Sequence, residues 1–362
     1  MKMTALLYPI SFLVVLSLVV IIHEFGHFQA ARSCGVKVDE FSVGFGKTLW
    51  SRTDKKGTLW KVCLIPLGGY VKMLGDADAA GTKVDEKVNT LTDEEKKSSI
   101  VCQPLWKKAV IAFAGPAMNY VFAIVLLTGL LRMYGLLTVP PVVSAVSAGS
   151  AAEAAGVLPN DRFIRINDLE IKEFHDIRRA IELDNTLNMV VLRDGKEVAL
   201  TARLKRENGG AVLGVQSVMQ REHFKDLNLW EAFETALKDI WETTVDTTAV
   251  LKRILLRERS ADDLRGPLGI AEASGDAAMG GAVSFLTFLI QVSVGIGFLN
   301  LLPVPMLDGG HLLFYAIEAV IRRPLPEKAE TVALNIGFLL LIGLLIVTSW
   351  NDIVRIVSRL FG

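Results

Sequence analysis

The sequence has few of the features that mark a disulfide-stabilised or a nucleic-acid-binding protein. Its 362 residues include only three cysteines, Cys34, Cys63 and Cys102, which are too few and too scattered for a disulfide framework or a cysteine metal site. It also has no excess of positive charge, because 39 Lys and Arg residues balance 39 Asp and Glu residues. Without a basic field to attract a phosphate backbone, nucleic acid is not an expected partner.

Apolar residues, by contrast, are abundant: they make up 51% of the chain, and its mean hydropathy is +0.40. Four stretches are apolar enough for membrane-spanning helices, namely residues 3–22, 109–131, 283–302 and 334–347. A cleaved signal peptide is the alternative for the first stretch, but only one Lys precedes it and no small-residue cleavage site follows. The composition therefore predicts a polytopic α-helical membrane protein with four transmembrane helices.

The positive charges beside these stretches predict the orientation of the chain. Lys and Arg residues are frequent in segment 28–108, whereas only Lys2 precedes the first stretch. The positive-inside rule places that segment, and the connector between the third and fourth stretches, in the cytoplasm. Residues 135–282 are then expected on the opposite, extracytoplasmic side. Within segment 28–108, KVDEFSVGFG and TLWKVCLIPLGGYVKM alternate like strands, which predicts a β-loop.

The predicted extracytoplasmic segment divides into two parts. Its first part, 139–216, has β-branched runs between turns, with Asp194-Gly195 as a hairpin signal and a helical pattern over 174–183. Within it, GSAAEAAGVLPNDRFIRIND resembles the helix, turn and strand of a PDZ domain, although Asn160 stands where such domains usually have glycine. The second part, 217–282, contains an amphipathic helical pattern with one apolar face, formed by Trp230, Phe233, Leu237, Ile240 and Trp241. This helix is expected to pack on the membrane surface or the protein core, or to be an exposed spacer.

HEFGH, residues 23–27, follows the first apolar stretch and fits the pattern HExxH. In a helix, His23 and His27 share one face, and Glu24 lies beside the water that a bound metal would hold. An ionisable side chain at the bilayer centre costs on the order of 2.5–3.5 kcal/mol. A bound dication compensates such a cluster. The simpler alternative is an interfacial cluster that is wetted by lipid headgroups.

A catalytic zinc site takes three protein ligands and keeps one position open. No candidate follows HEFGH closely, and the strongest one is Asp308, in NLLPVPMLDGG at residues 300–310. Pro303 and Pro305 cannot continue a helix, so an extended backbone is predicted there, against protein or a water-filled cavity. His311 follows the two glycines and is a candidate neighbour of the metal ligands.

The pair HEFGH and NLLPVPMLDGG resembles the site-2 protease family of intramembrane zinc metalloproteases. FSVGFG, IPLGGYVKM, AGPAMNY and RGPLGIA are similar to the bacterial regulator of sigma-E protease branch, and the resemblance covers nearly the whole chain. It implies that His23, His27 and Asp308 bind Zn²⁺, with Glu24 as general base. It also places Asn300 and Asn119 near the substrate or the oxyanion. Together with these two, the segment's prolines, Pro303 and Pro305, are predicted to bind substrate.

The resemblance further implies the partners and the location. Expected substrates are single-pass membrane proteins, such as anti-sigma factors trimmed by another protease and leftover signal peptides, in the lipid bilayer of a bacterial cytoplasmic (inner) membrane. Some members carry two tandem PDZ domains, whereas this chain has room for one. The predicted architecture is four transmembrane helices with a membrane-associated β-loop and an inserted extracytoplasmic α+β PDZ domain, divided as 1–135, 139–216, 217–282 and 283–362.

Two other functions remain open at this point. A non-catalytic membrane scaffold would use the PDZ-like segment to bind partners and the metal for structure, but such a site has no use for Glu24. A metal transporter would also need ligands within the membrane. The PDZ-like segment and the proline-broken LDG segment have no evident place in a transporter.

Overall fold

A computed structural model describes residues 2–76, 91–137, 139–204, 206–207, 210–217, 224–256 and 266–361. The elements in chain order are α1 (Lys2–Ser33), β1 (Val38–Thr53), β2 (Leu59–Met73), α2 (Asp93–Ser98), α3 (Leu105–Tyr134), β3 (Leu136–Leu137), β4 (Ala145–Val146), α4 (Ala151–Ala154), β5 (Arg162–Ile166), β6 (Leu169–Glu170), α5 (Phe174–Leu183), β7 (Thr186–Arg193), β8 (Lys196–Arg203), β9 (Arg206–Glu207), β10 (Gly210–Ala211), β11 (Val215–Gln216), β12 (Phe224–Lys225), α6 (Leu229–Leu255), α7 (Pro267–Met279), α8 (Ala282–Leu301), α9 (Asp308–Ile321) and α10 (Glu327–Phe361). They form two compact units, one of residues 1–127 and 265–354, and the other of residues 128–264 and 355–362.

Four helices among the described residues are long and apolar enough to cross a membrane, as the sequence predicts. They are Leu6–Ser33, Leu105–Tyr134, Ala282–Leu301 and Lys328–Ser358. The first is longer than its apolar stretch, because α1 continues through HEFGH and stops only before Gly35, whose φ is 80°. HEFGH is therefore part of the first of these four candidate membrane helices, which fit a polytopic membrane protein.

Strands β1 and β2 confirm the predicted β-loop, but each folds back on itself. Phe41 faces both Val71 and Trp60, so the first half of β1 lies between the two halves of β2. Gly44 and Gly46 allow this bend with φ values of 85° and 86°, a region that suits glycine. Residues 69–73 consequently form one outer edge of the sheet.

The β-loop is attached to the end of α1. The Arg32 guanidinium donates hydrogen bonds to Asp54 and to Thr58 Oγ1, the latter over 2.8 Å, and its carbon lies 4.3 Å from the centre of the Phe28 ring. Burial raises the pKa of Asp54, but the bonds from Arg32, Trp60 and the backbone outweigh it and hold that pKa below its ordinary value. The loop's tip is thus held to the helix that carries HEFGH.

The second unit contains a four-stranded sheet in the order β6-β5-β7-β8. Its β7–β8 hairpin turns at Asp194 and Gly195, with φ values of 51° and 78°, as the Asp-Gly signal predicts. Helix α5 spans the predicted residues 174–183. Asn160 takes the left-handed conformation with φ 73°, which asparagine tolerates well. Large apolar side chains such as Phe163 and Leu187 are fully buried in this unit.

Helix α6 confirms the amphipathic pattern but corrects one residue of its apolar face. Ile240 is buried together with Ala232 and Ala236, whereas Trp230 and Trp241 are exposed. The helix is tied to α5 through Arg179, whose guanidinium lies 2.7 Å from Glu242 and also bonds Asp246. Ile240 therefore belongs to the packed side of α6 and not to its exposed stripe.

Helix α7 packs in the first unit, against α1. A Cβ added at Gly275 would lie 2.5 Å from Tyr8 Cγ, and the Tyr8 hydroxyl donates to Asp276 over 3.0 Å. At its other end, the Gly269 N–H donates to the fully buried Asp352 of α10 over 2.7 Å. From the sequence, only a helical connector is predicted here. The close contact with α1 is made by small residues such as Gly275, and small residues leave no apolar periodicity in the sequence.

Candidate metal centre

Helix α1 presents His23 and His27 on one face, and the pair is held close to α3. A Cβ at Gly26 would lie 2.8 Å from the backbone carbon of Ala114, so glycine lets the two backbones approach. From the other side, a Cβ at Gly115 would lie 2.5 Å from His27 Cε1 and 2.9 Å from His23 Cε1. The space that both imidazoles occupy therefore exists only because residue 115 has no side chain.

Asp308 reaches the same place from the far end of the sequence. The chain between α8 and α9 is not helical, as the two prolines predict, but it turns instead of running extended: the Leu307 N–H donates to the Val304 carbonyl over 3.1 Å, and Met306 has φ 82°. The first turn of α9 then presses on this segment. A Cβ at Gly309 would lie 2.5 Å from the Leu301 backbone carbon, and one at Gly310 would lie 2.8 Å from Pro305 Cα. The two glycines after Asp308 thus set its position.

These elements bring together three of the residues that the sequence singles out. His23 Nε2 lies 3.1 Å from Asp308 Oδ2, and His27 Nε2 lies 3.5 Å from Asp308 Oδ1. The two Nε2 atoms are 3.2 Å apart. Tetrahedral zinc with bonds of about 2.0–2.1 Å has ligand atoms about 3.3 Å apart. The three distances therefore fit a shared zinc ion.

The hydrogen bonds around the cluster also suit a metal. His27 Nδ1 donates to the backbone carbonyl of Ile111 over 2.8 Å, which leaves Nε2 with a free lone pair. Asp308 Oδ2 is buried and has no hydrogen-bond partner of suitable geometry among the described residues. A buried carboxylate oxygen without a donor is costly unless a cation compensates it.

Glu24 adjoins this group without belonging to it. Its carboxylate accepts a hydrogen bond from the backbone N–H of Val71, in the edge segment 69–73 of the β-loop. The general-base candidate is therefore positioned beside the outer edge of the sheet. Neither this bond nor the Ile111 carbonyl can be predicted from the sequence, because both partners are backbone groups whose side chains carry no signal.

The predicted substrate-binding residues are placed differently from one another. Asn119 is fully buried, with Nδ2 3.4 Å from His23 Nδ1. The Asn300 amide donates to the Ile296 carbonyl of its own helix over 3.1 Å, and no hydrogen bond within the described part of the chain joins it to the cluster. Pro303 is exposed. The Pro305 carbonyl carbon would lie 2.8 Å from a Cβ at Gly337, so Pro305 packs against α10.

His311 lies one turn after Asp308 on α9, with its ring centre 6.4 Å from those of Phe314 and Tyr315. No hydrogen bond to a member of the cluster is seen within the described part of the chain. Its place is compatible with an electrostatic influence on Asp308, but not with a direct hydrogen bond to a predicted ligand.

Comparison with known proteins agrees with this geometry. Residues 11–344 match Peptidase family M50. A protein of Mesorhizobium japonicum, provisionally named a zinc metalloprotease, is 39% identical over 95% of this chain and 98% of its own length. A similarly named protein of Rhizobium meliloti is 37% identical, over 97% and 96%.

A third relative is the metalloprotease MmpA of Caulobacter vibrioides, which is 35% identical over 97% of this chain and 96% of its own length. These matches extend over HEFGH, the LDG segment and everything between them. The chain therefore belongs to Peptidase family M50, the site-2 protease family, and is a zinc metalloprotease of the intramembrane type.

Proposed function

We propose that His23, His27 and Asp308 hold the zinc ion of this protease, that Glu24 is its general base, and that it cuts single-pass membrane proteins within their transmembrane segments. The observation that carries the residue roles is the convergence of the two imidazoles and the carboxylate, with mutual distances of 3.1, 3.2 and 3.5 Å. These residues come from opposite ends of the sequence, so a chance meeting at ligand spacing is improbable.

Each residue then has a defined part in peptide hydrolysis. Zinc, when bound, supplies Lewis-acid chemistry that polarises a carbonyl and acidifies water. The Glu24 carboxylate accepts the proton of the attacking water and returns it to the leaving amide nitrogen. The Val71 N–H holds the carboxylate in place. His27 is held by the Ile111 carbonyl, so its ring cannot turn away from Asp308.

The test of these roles is the variant Glu24→Gln, which keeps the size of the side chain but cannot accept the proton. We expect it to bind one zinc per chain and to leave a membrane-anchored substrate uncut. His23→Ala should lose both zinc and activity. A scaffold would bind its partners equally well in both variants, and a Glu24→Gln protein that cleaves at the normal rate would refute the assignment of the base.

We also propose that the substrate is added as a strand to the edge segment 69–73. Two backbone N–H groups of this segment point away from β1: Val71 N–H toward Glu24, and Met73 N–H toward Asp76 Oδ2 over 3.1 Å. The Val71 N–H stays with Glu24 in this proposal, and a substrate carbonyl takes the place of Asp76 at the Met73 N–H. A residue that leaves its helix inside a membrane loses backbone bonds worth several kcal/mol each. A sheet edge replaces such bonds in series. Asn300, Asn119, Pro303 and Pro305 are proposed to line the same substrate path.

The location is part of the proposal. The Lys and Arg asymmetry supports the β-loop in the cytoplasm and residues 139–216 on the extracytoplasmic side, and the bacterial relatives support a bacterial inner membrane as the location. The hairpin, the helix α5 and the left-handed Asn160 in that unit are features of the PDZ fold that we propose for it. Anti-sigma factors already trimmed by another protease and remnant signal peptides are the proposed substrates, because both would present a single span with a short outer part.

A further inference from the structure

Asn119 is the fully buried polar residue of α3 that faces the metal cluster, and one end of its amide has no partner. Its Nδ2 lies 3.4 Å from His23 Nδ1, while its Oδ1 is buried without a hydrogen-bond partner among the described residues. An orphaned amide oxygen costs about 1–3 kcal/mol. The arrangement therefore suggests that the amide is used differently when the metal site is filled.

The tautomer of His23 decides which end of the amide it needs. The Nε2 atoms of His23 and His27 both face Asp308, so these are the nitrogens that would donate lone pairs to zinc. A neutral imidazole whose Nε2 binds metal carries its proton on Nδ1 and requires an acceptor there. His27 has the Ile111 carbonyl for this purpose, over 2.8 Å. For His23, Asn119 is the residue in that position.

A half-turn of the Asn119 amide supplies the acceptor. The oxygen and nitrogen of a primary amide occupy nearly equivalent positions, so exchanging them needs no extra space. The rotation brings Oδ1 to the place 3.4 Å from His23 Nδ1 that Nδ2 occupies. It turns the amide N–H bonds away from His23, into the buried position that Oδ1 otherwise occupies.

The backbone of Asn119 is well anchored for such a role. Its carbonyl accepts a hydrogen bond from the buried Ser293 hydroxyl of α8 over 2.9 Å. A Cβ at Gly297, one turn later on α8, would lie 3.2 Å from Asn119 Cβ. Contacts from behind therefore fix where the side chain starts, and only the amide remains free to rotate.

We infer that Asn119 is a positioning residue for the metal site: its amide oxygen accepts the Nδ1 proton of His23 and holds that imidazole toward the zinc. This inference rests on the proposed ligand set. It gives Asn119 the function of orienting His23, in addition to the substrate contact that its motif implies. It also explains why position 119, buried beside an imidazole, has an amide side chain and not an apolar one.

The experiment measures zinc affinity of the purified full chain by competition with a chromogenic chelator. Asn119→Leu and Asn119→Ala remove the acceptor, and both should weaken zinc binding by about 10–100-fold, the usual effect of losing such a partner. Asn119→Asp keeps an acceptor oxygen at the same reach, and it should bind zinc within a few-fold of the unaltered chain. Thermal unfolding of the metal-free proteins shows which variants are folded.

Asn300→Leu is the matched control, since the Asn300 amide bonds the Ile296 carbonyl and not a ligand; its zinc affinity should not change. Wild-type zinc affinity in a folded Asn119→Leu protein would overturn the inference, and so would an Asn119→Asp protein that loses as much affinity as Asn119→Leu. If His23→Ala itself kept its zinc, the ligand assignment would fail, an outcome distinct from a failure of the role of Asn119 alone.

Discussion

Gly115→Ala is the most informative single change in this protein, because it adds one methyl group where the imidazoles pass α3. The new Cβ would lie 2.5 Å from His27 Cε1 and 2.9 Å from His23 Cε1. A comfortable contact needs roughly 3.4–4 Å between carbon atoms. The His27 ring must therefore move by about 1 Å, or α1 must separate from α3.

Neither response preserves the metal site. Plausible metal–ligand distances fall within about 0.2 Å of their usual values, so a shift of about 1 Å removes a ligand. His27 cannot simply rotate, because its Nδ1 donates to the Ile111 carbonyl over 2.8 Å. We expect zinc affinity to fall at least 100-fold and proteolysis to stop. In a helix interior, alanine is by itself about 0.5–1 kcal/mol more favourable than glycine, so a loss of function would not reflect a weaker helix.

The assay compares zinc content and cleavage of a membrane-anchored substrate with those of Gly129→Ala, a control in the same helix. A Cβ at Gly129 has nothing within 4 Å, so that variant should bind zinc and cut normally. A Gly115→Ala protein with stoichiometric, tightly bound zinc and full activity would show that the contact between α3 and the imidazoles is not as described, and would refute the reasoning.

Two further predictions concern orientation and substrate. The first test uses spheroplasts of a chain in which Cys34 and Cys63 are replaced by Ser, and a membrane-impermeant maleimide should not label its exposed Cys102. The same reagent should label a Glu197→Cys variant, because Glu197 is exposed on β8. Labelling of Cys102 before permeabilisation would show that the proposed topology is reversed. Substrates whose spans contain Gly or Asn should be cut several-fold faster than matched spans stiffened with Leu, because unwinding must precede strand addition; equal rates would contradict binding at the edge segment 69–73.

Much of the architecture can be predicted from the sequence because its signals are local. The four apolar stretches and the Asp194-Gly195 hairpin appear in the structure, but the first and fourth helices, Leu6–Ser33 and Lys328–Ser358, extend well beyond the stretches 3–22 and 334–347. Helix α5 has the predicted bounds. Amphipathicity, turn chemistry and apolar length each act over a few residues, so they can be read without knowing the contacts.

The rest depends on contacts between distant segments. The fold-back of β1 and β2, the packing of α7 on α1 and the bond from Val71 to Glu24 are tertiary, and in the last two one partner is a glycine or a backbone N–H. Periodicity groups Ile240 with the aromatic residues of α6, but Ile240 is buried like Ala232 and Ala236. The roles of Asp308 and Glu24 remain predictions, although the structure describes their geometry. Asn119, which the sequence suggests only as a substrate-binding residue, lies beside the proposed zinc ligand His23.

The distance along the chain between the two halves of the metal centre has a consequence for how the protein is made. His23 and Asp308 are separated by 285 positions. At a synthesis rate of about 5–20 residues per second, α1 with its two histidines exists for roughly 15–60 s before the aspartate is added. During that time the nascent chain has two of the three proposed zinc ligands and no third. With the proposed ligand set, the ribosome must finish almost the entire polypeptide before the metal site is complete, so a product truncated before Asp308 is expected to be inactive.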